Sequence, residues 1–233
     1  MKPLGRKAYG HIPHLPGSRL GPGDHRVHAG QAAICETKLR DKHDRIYVTE
    51  KVDGSCCAVA RVNGTLIPLG RAGYLAWTSK YEQHRLFAQW TAEHEALFAF
   101  LRDGERVVGE WLAQAHGTRY ALPHEPFVAF DLMADDHRVN HEELVARVGS
   151  FLPLPRLLHS GSPLAVAEML KLIAVSGHGA IDPVEGAVWR VERKGRFDFL
   201  AKYVRHDKAD GKYLPELSGQ APVWNWVPSR NQR

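Results

Sequence analysis

The stretch TEKVDGSCCAVARVNG, residues 49–64, places Lys51 inside what otherwise reads as a strand, two residues before Asp53 and three before Gly54. A strand does not need a lysine there to fold, so the side chain is either solvated or used. If used, its amine is a nucleophile only after losing a proton, and an ordinary lysine, with a pKa of roughly 10.4, is almost wholly charged at pH 7. Nearby positive charge or removal from water lowers that value. The fourteen histidines suggest a metal site, yet no pair has HExxH or Cys/His finger spacing. Cys35, Cys56 and Cys57 form neither a disulfide framework nor a zinc pattern, which points to a reducing, cytoplasmic setting.

Five short motifs follow EKVDG along the chain. They are GRAG at 70–73, VVGEW at 107–111, FVAFDLM at 127–133, EGAVWR at 185–190 and LAKYV at 200–204. Each is weak alone, but six in this order, on predicted strands and spanning residues 49–204, are hard to obtain by chance. The set resembles the covalent nucleotidyltransferase superfamily: ATP-dependent RNA and DNA ligases and GTP-dependent capping enzymes. Glu50 before the lysine, the short spacing to GRAG and the small size are most similar to RNA ligases of the T4 RNA ligase 2 type.

The resemblance implies a role for each residue. Lys51 would attack the α-phosphorus of ATP, expel pyrophosphate and carry a covalent lysyl-AMP. Arg190 and Lys202 would join it in the catalytic set, supplying positive charge that helps the amine lose its proton and stabilises the phosphate oxygens. Asp53 and Glu185, acids beside a phosphate site, make sense with Mg²⁺ or Mn²⁺ between them and the substrate, Glu185 being the stronger metal candidate. Arg71 and Glu110 would hold the ribose hydroxyls or the phosphate side, Glu50 would lie near the adenine, and Gly54 completes the KxDG turn of the nucleotide set. Phe130 is chosen from the motif as the aromatic that stacks on the base, with Phe127 read as plain core although the pattern does not settle which of the two faces the nucleotide, and Asp131 as a local cap or pair. The plain alternatives are a solvated Lys51, a turn aspartate at 53 and a surface ion pair of Glu110 with Arg71, worth little.

Two positions depart from the family pattern. The EGxVxK motif ends in Arg190, a planar fork in place of a point charge. The terminal motif has Leu200 where a first lysine is common, so Lys202 stands alone; Lys194, Arg205 and Lys208 are nearby candidates for the missing cation, with a solvated basic edge the favoured reading of them. About thirty residues follow Lys202, where ligases of this class usually carry a further domain. The expectation is a minimal catalytic module that adenylates itself well and seals poorly, or that relies on a protein partner.

The elements that must hold these residues follow from periodicity. Residues 45–70 read as a strand and a hairpin turning at Asn63-Gly64. Residues 79–102 have helical apolar spacing up to Asp103-Gly104. RVVGEWLA (106–113) and PFVAFDLM (126–133) are strands. NHEELVARVGSFL (140–152) is a helix capped by Asn140 with Glu143 three residues on. Residues 163–177 form another helix, and strands 185–193 and 197–205 meet at Lys194-Gly195. The whole reads as α+β with largely antiparallel sheets. The resemblance makes it a nucleotidyltransferase fold, the ATP-grasp-like ligase adenylation domain, with the nucleotide between two mostly antiparallel sheets flanked by helices. The expected organisation is an irregular arm at 1–30, the adenylation domain at 31–213 and a tail at 214–233. HIPHLPGSRLGPGDH, with three prolines and three glycines, cannot form a regular element. It and RHDKADGKY (205–213) are candidates to touch nucleic acid or pyrophosphate.

The 233 residues carry a formal charge of +5, which suits an anionic partner without proving one, and 44% are hydrophobic, enough for a sizeable core. No apolar run is long enough to span a membrane, and the polar first thirty residues do not read as a signal peptide. The leading reading is an ATP-dependent RNA ligase acting on 5′-phosphate and 3′-hydroxyl ends, nicked duplex among them. DNA ligation, GTP-dependent capping, a non-sealing nucleotide- or end-binding module, and AMP transfer to a protein or small molecule are the competing readings.

Overall fold

The structure, a computed structural model, describes residues 2–228. In chain order it contains α1 (Ala29–Glu36), β1 (Asp44–Lys51), β2 (Ser55–Val62), β3 (Thr65–Gly70), α2 (Glu82–Glu93), β4 (Glu105–Trp111) and β5 (Phe127–Ala134). There follow β6 (His137–Arg138), α3 (His141–Val148), β7 (Leu157–Gly161), α4 (Val166–Leu172), β8 (Gly186–Arg193), β9 (Arg196–Val204) and α5 (Pro215–Ser218). The turns that the dipeptides predict are present. Asn63 and Gly64 have φ of 50° and 76°, and Lys194 and Gly195 have 52° and 70°. Two successive left-handed residues match the twist of the strands they join. Asn140 caps α3 by accepting from the Glu143 N–H at 2.8 Å.

The strands form two sheets, ordered β7-β1-β8-β9 and β3-β2-β4-β5-β6, with every pairing antiparallel. Helix α2 covers the outer face of the five-stranded sheet, where Phe87 and Trp90 pack with Trp111 and Phe127 from the strands. Helices α1 and α4 cover the outer face of the four-stranded sheet through Ile34 and Met169 against Ile46, Val48 and Trp189. Between the sheets, Ala58, Val108 and Phe130 from one meet Val188, Phe197 and Leu200 from the other. The order is helices, sheet, sheet, helices, and the inner interface is where a ligand can reach both sheets.

Several expected elements are shorter. The helix over 79–102 is α2 followed by a 3-10 turn at Glu95–Phe98, because His94 leaves helical geometry (φ −122°, ψ 35°). Helix 163–177 is only α4, and helix 140–152 ends at Val148. The sequence reading did not separate α1, β7 or α5. The arm is irregular as expected but is not loose: Ala8 and Leu15 are fully buried, and α1 begins inside its boundary at Ala29. The tail also packs back, Trp224 and Trp226 lying against the outer core of the five-stranded sheet. Residue 1 of the expected arm and residues 229–233 of the expected tail lie outside the described residues. No helix among the described residues is long and apolar enough to cross a membrane.

Candidate active site

Lys51 is the last residue of β1, and β1 and β8 run antiparallel with Lys51 opposite Gly186. That register sets the side chain beside Glu185, and the Lys51 Nζ donates to Glu185 Oε2 at 2.6 Å. The chain then crosses between the sheets in three residues, Val52 to Gly54. A Cβ on Gly54 would lie 2.3 Å from the Trp111 carbonyl oxygen, so only glycine lets the crossing run this close to β4. The Gly54 N–H donates to Glu110 Oε1 at 3.1 Å. The Asp53 N–H donates to the Tyr120 hydroxyl at 2.9 Å. The Asp53 carboxylate accepts from the Gly117 N–H at 2.9 Å and pairs with Lys208 Nζ at 2.6 Å.

Lys51 therefore faces three carboxylates, Glu185, Glu110 and Asp53. Burial lowers its pKa, but their combined charge outweighs burial and holds it above the usual lysine value. These carboxylates keep the amine protonated; of the two basic neighbours expected to favour its deprotonation, Lys202 lies near enough for its own pKa to feel the Lys51 charge. The acids respond in kind. Burial first, then Glu185 and Asp53, push Glu110 up to about 7 against the pull of Lys51. Burial also raises Glu185, with Lys51 opposing. For Asp53 burial is outweighed by Lys208 and Lys51, which hold it below the ordinary aspartate range. Lys202 is lowered by burial and by the nearby Lys51 charge.

A cavity of about 190 Å³ opens between the sheets beside Lys51. It is lined by Arg71, Glu110 and Phe130 from one sheet and its edge, and by Lys51, Val188 and Lys202 from the other. Phe130 reaches it, while Phe127 is fully buried in the outer core, a distinction the sequence pattern left open. Arg71 reaches the mouth of the cavity and donates from Nη2 to the Gly10 carbonyl at 3.1 Å. Lys202 Nζ lies 3.8 Å from Asp24 Oδ1.

Two residues sit differently from expectation. The Glu50 side chain points to the opposite face of β1 from Lys51, by the alternation of a strand. Its carboxylate accepts from Ser176 Oγ at 2.6 Å and the Gly177 N–H at 2.7 Å, so it braces the loop after α4, and its backbone N–H donates to the Arg156 carbonyl at 2.9 Å. Arg190 pairs across β8 with Tyr47, four residues from Lys51 and roughly 13 Å along the strand. Its guanidinium donates to Asp131 and Glu192, each at 2.7 Å, and to the Val139 carbonyl. With two carboxylates already on it, it cannot be the charge that deprotonates Lys51; it builds the far wall. Asp131 is a buried hub for Tyr9, Arg138 and Arg190 and caps nothing.

Val188 was missed as a site residue, and Lys208, a candidate cation in the sequence, is not on the solvated edge that the sequence favoured. Lys208 is buried beside Asp53 and also donates to Thr118 Oγ1, which a basic stretch in the sequence does not reveal. Val188 is signalled only by alternation, facing inward two residues after Gly186. No group of three or more His, Cys, Asp or Glu side chains among the described residues is arranged to hold a metal. The donor set fits Mg²⁺ or Mn²⁺ arriving with a triphosphate, since such ions take one or two carboxylates with phosphate oxygens and water. Cys35, Cys56 and Cys57 are free thiols.

A family model described as RNA ligase matches residues 44–204. Among solved structures, the chain is similar to Naegleria gruberi RNA ligase with PPi, at TM-score 0.56 and 18% identity over 92% of this chain and 63% of that one. It is also similar to a lysine-to-alanine mutant of that ligase with ATP and Mn, at TM-score 0.52 and 20% identity over 70% of this chain and 50% of that one. A lysine-to-methionine mutant with AMP and Mn gives TM-score 0.50 and 16% identity over 85% and 60%. At such identities the likeness is one of fold. The chain spans about half to just under two thirds of the length of these structures. No curated protein matches.

Proposed function

The chain belongs to the RNA ligase family, and from that premise we propose that it is an ATP-dependent RNA ligase working through a covalent lysyl-AMP on Lys51. The observation that carries the proposal is a mostly buried lysine, ringed by three carboxylates, at the edge of an intersheet cavity with Phe130 and Val188 in its walls. A nucleobase stacks on Phe130, with Val188 on the other sheet. The Glu50 backbone lies along the base edge, and Glu110 and Arg71 face the sugar and phosphates. Lys202 supplies a cation to the phosphate oxygens.

Glu185, with Asp53 nearby, would hold a divalent ion, Mg²⁺ or Mn²⁺, which would supply charge neutralisation for the triphosphate. Glu185 is the main anion holding the Lys51 ammonium charged, so a cation held by that carboxylate would weaken the pair and favour loss of the lysine proton to water. The freed amine then attacks the α-phosphorus and pyrophosphate leaves. AMP passes to a 5′-phosphate end, and attack by a 3′-hydroxyl seals the strand and releases AMP. We place the chain nearest the T4 RNA ligase 2 type, on Glu50 and the short spacing to GRAG. We take 31–213 as the adenylation domain, with the arm and tail packed onto it. Nucleic acid with 5′-phosphate and 3′-hydroxyl ends, nicked duplex included, is the partner class, and a protein supplying a further domain is a second one. The free thiols suit the cytoplasm.

The test is to incubate the protein with α-labelled ATP and Mg²⁺, denature it and look for label on the chain. Label that needs Lys51, is reversed by pyrophosphate and moves onto 5′-phosphate RNA supports the proposal. Label from GTP alone points to capping-type transfer. No label from any nucleotide on folded protein overturns the proposal.

A further inference from the structure

We propose that Tyr9, carried by the N-terminal arm, is a specificity-determining wall of the nucleobase pocket, fixing the size of base that can lie against Phe130. The ligand's identity rests on the adenylation reading above; the wall itself rests on how the arm is built into the cavity.

Residues 6–10 are laid against the five-stranded sheet by several independent contacts. The Ala8 and Tyr9 N–H groups both donate to the Arg71 carbonyl, at 3.1 and 3.2 Å. Arg71 Nη2 donates back to Gly10, and the buried Arg106 donates from Nε to the Ala8 carbonyl at 2.8 Å. Gly73, the last residue of GRAG, has φ +87°, and a Cβ on it would lie 2.1 Å from the Arg6 carbonyl oxygen. The motif thus leaves room for the arm as well as for a ligand. Farther on, the arm is joined to β9 of the other sheet: the Lys202 N–H donates to Pro13 at 2.9 Å and the Leu15 N–H donates to Lys202 at 2.8 Å. The stretch strung between these two anchors supplies Tyr9, Gly10 and Ile12 to the cavity lining.

Within that stretch the Tyr9 ring has little freedom. It meets Phe130 edge to face, with centroids 5.2 Å apart and planes at 62°. The Arg138 guanidinium lies 4.9 Å from its centroid. Its hydroxyl donates to Asp131 at 2.6 Å, and Asp131 is itself held by Arg138 and Arg190. A ring held by its backbone, both neighbours and its hydroxyl cannot swing aside at small cost. Its hydrogen-bonding group already has a partner, so its contribution to a bound base is shape.

Lysyl-AMP formation is measured for wild type, Tyr9→Ala and Tyr9→Phe with ATP and with ATP analogues bearing a benzyl group on the exocyclic amine or bulky groups on the ring carbons. Wild type is expected to use ATP and to exclude the bulky analogues. Tyr9→Ala is expected to shift preference toward at least one of them by about tenfold or more, a gain that damaged folding cannot produce. Tyr9→Phe keeps the ring but releases it from Asp131, so KM for ATP rises about fivefold with kcat unchanged and the bulky analogues still excluded. Wild-type KM and wild-type discrimination in both variants would overturn the inference. So would loss of ATP use in Tyr9→Ala with no analogue gained while Tyr9→Phe behaves as wild type. A wild-type protein that takes no label from any nucleotide fails at the adenylation reading instead, and the wall falls with it.

Discussion

Lys51 Nζ and Glu185 Oε2 stand 2.6 Å apart, so the proposed nucleophile and the leading metal candidate neutralise each other. Neither can do its work while the pair is intact. An amine held charged by three carboxylates does not attack, and a carboxylate holding an ammonium is a poor ligand. A cation held by Glu185 alongside a triphosphate would relieve both constraints, and deprotonation of the lysine would then depend on occupancy of the site.

Replacement of Lys51 separates its two roles. Lys51→Arg keeps a cation among Glu185, Glu110 and Asp53; it should hold the wild-type melting temperature closely and form no adduct. Lys51→Met leaves the carboxylates uncompensated in a buried site, a loss of about 3–5 kcal/mol at pH 8. Glu185 and Glu110 would then have folded pKa values even farther above their unfolded ones. That cost is present above those folded values and is relieved as pH falls through them. Thermal unfolding at pH 8 and pH 5 checks this: the deficit of Lys51→Met should shrink at pH 5.

Glu110 is pushed up to about 7, well above its unfolded value. The native state therefore binds this proton more tightly than the unfolded state, and the group opposes folding increasingly as pH rises from the ordinary glutamate range toward 7. Glu110→Gln keeps an acceptor for the Gly54 N–H without the charge. The apo variant should melt about 2–4 °C higher than wild type at pH 8, with the gain gone by pH 5. Its lysyl-AMP formation should fall. A variant less stable than wild type at pH 8 would contradict this account.

The buried pair of Lys208 and Asp53 predicts strong coupling. Lys208→Met removes the cation that holds Asp53 below the ordinary aspartate range, at a cost of about 3–5 kcal/mol near neutral pH. Because the Asp53 pKa is depressed in the fold, that stabilisation exists above the unfolded value of about 3.9 and is lost as pH falls through the folded one. The difference from wild type should therefore narrow in acid. A double-mutant cycle with Asp53→Asn should give a coupling of about 0.5–3 kcal/mol. Additive losses would show that the two side chains do not act together.

What the sequence made legible was local. Asn63-Gly64 and Lys194-Gly195 force their turns, alternation marks the strands, and the spacing of Lys51, Glu110 and Glu185 survives folding because the first two sit at fixed registers in ladders and Glu185 immediately precedes one. Partnerships across long stretches of chain were not legible. Lys208 finds Asp53 from 155 positions away, and nothing in RHDKADGKY distinguishes a buried lysine from a solvated one. Arg190 read as a phosphate cation because its motif ends in a basic residue. Of its two carboxylate partners, Glu192 lies two residues on along the same strand face, but Asp131 comes from β5 and is visible only once the sheets face each other. The arm was illegible for the opposite reason: proline and glycine exclude regular structure, but backbone without regular structure can still be pinned by individual hydrogen bonds, as Ala8, Pro13 and Leu15 are.

Gly54→Ala tests whether the crossing between the sheets has to be this tight. The new methyl would meet the Trp111 carbonyl oxygen at 2.3 Å and Leu112 Cδ2 at 3.0 Å. Leu112 can adjust, but the carbonyl belongs to the end of β4, where Ser55 pairs with Trp111 and Cys56 with Glu110. Relief therefore requires the first rungs of that ladder to open, which also breaks the bond from the Gly54 N–H to Glu110. A loss of about 1–3 kcal/mol is expected from overpacking of this kind. Adduct formation should fall further than stability does, because Glu110 moves relative to Lys51 even in molecules that remain folded. Labelling with α-labelled ATP well below the variant's own melting temperature separates the two effects. Wild-type labelling there would mean that the close approach serves the fold alone.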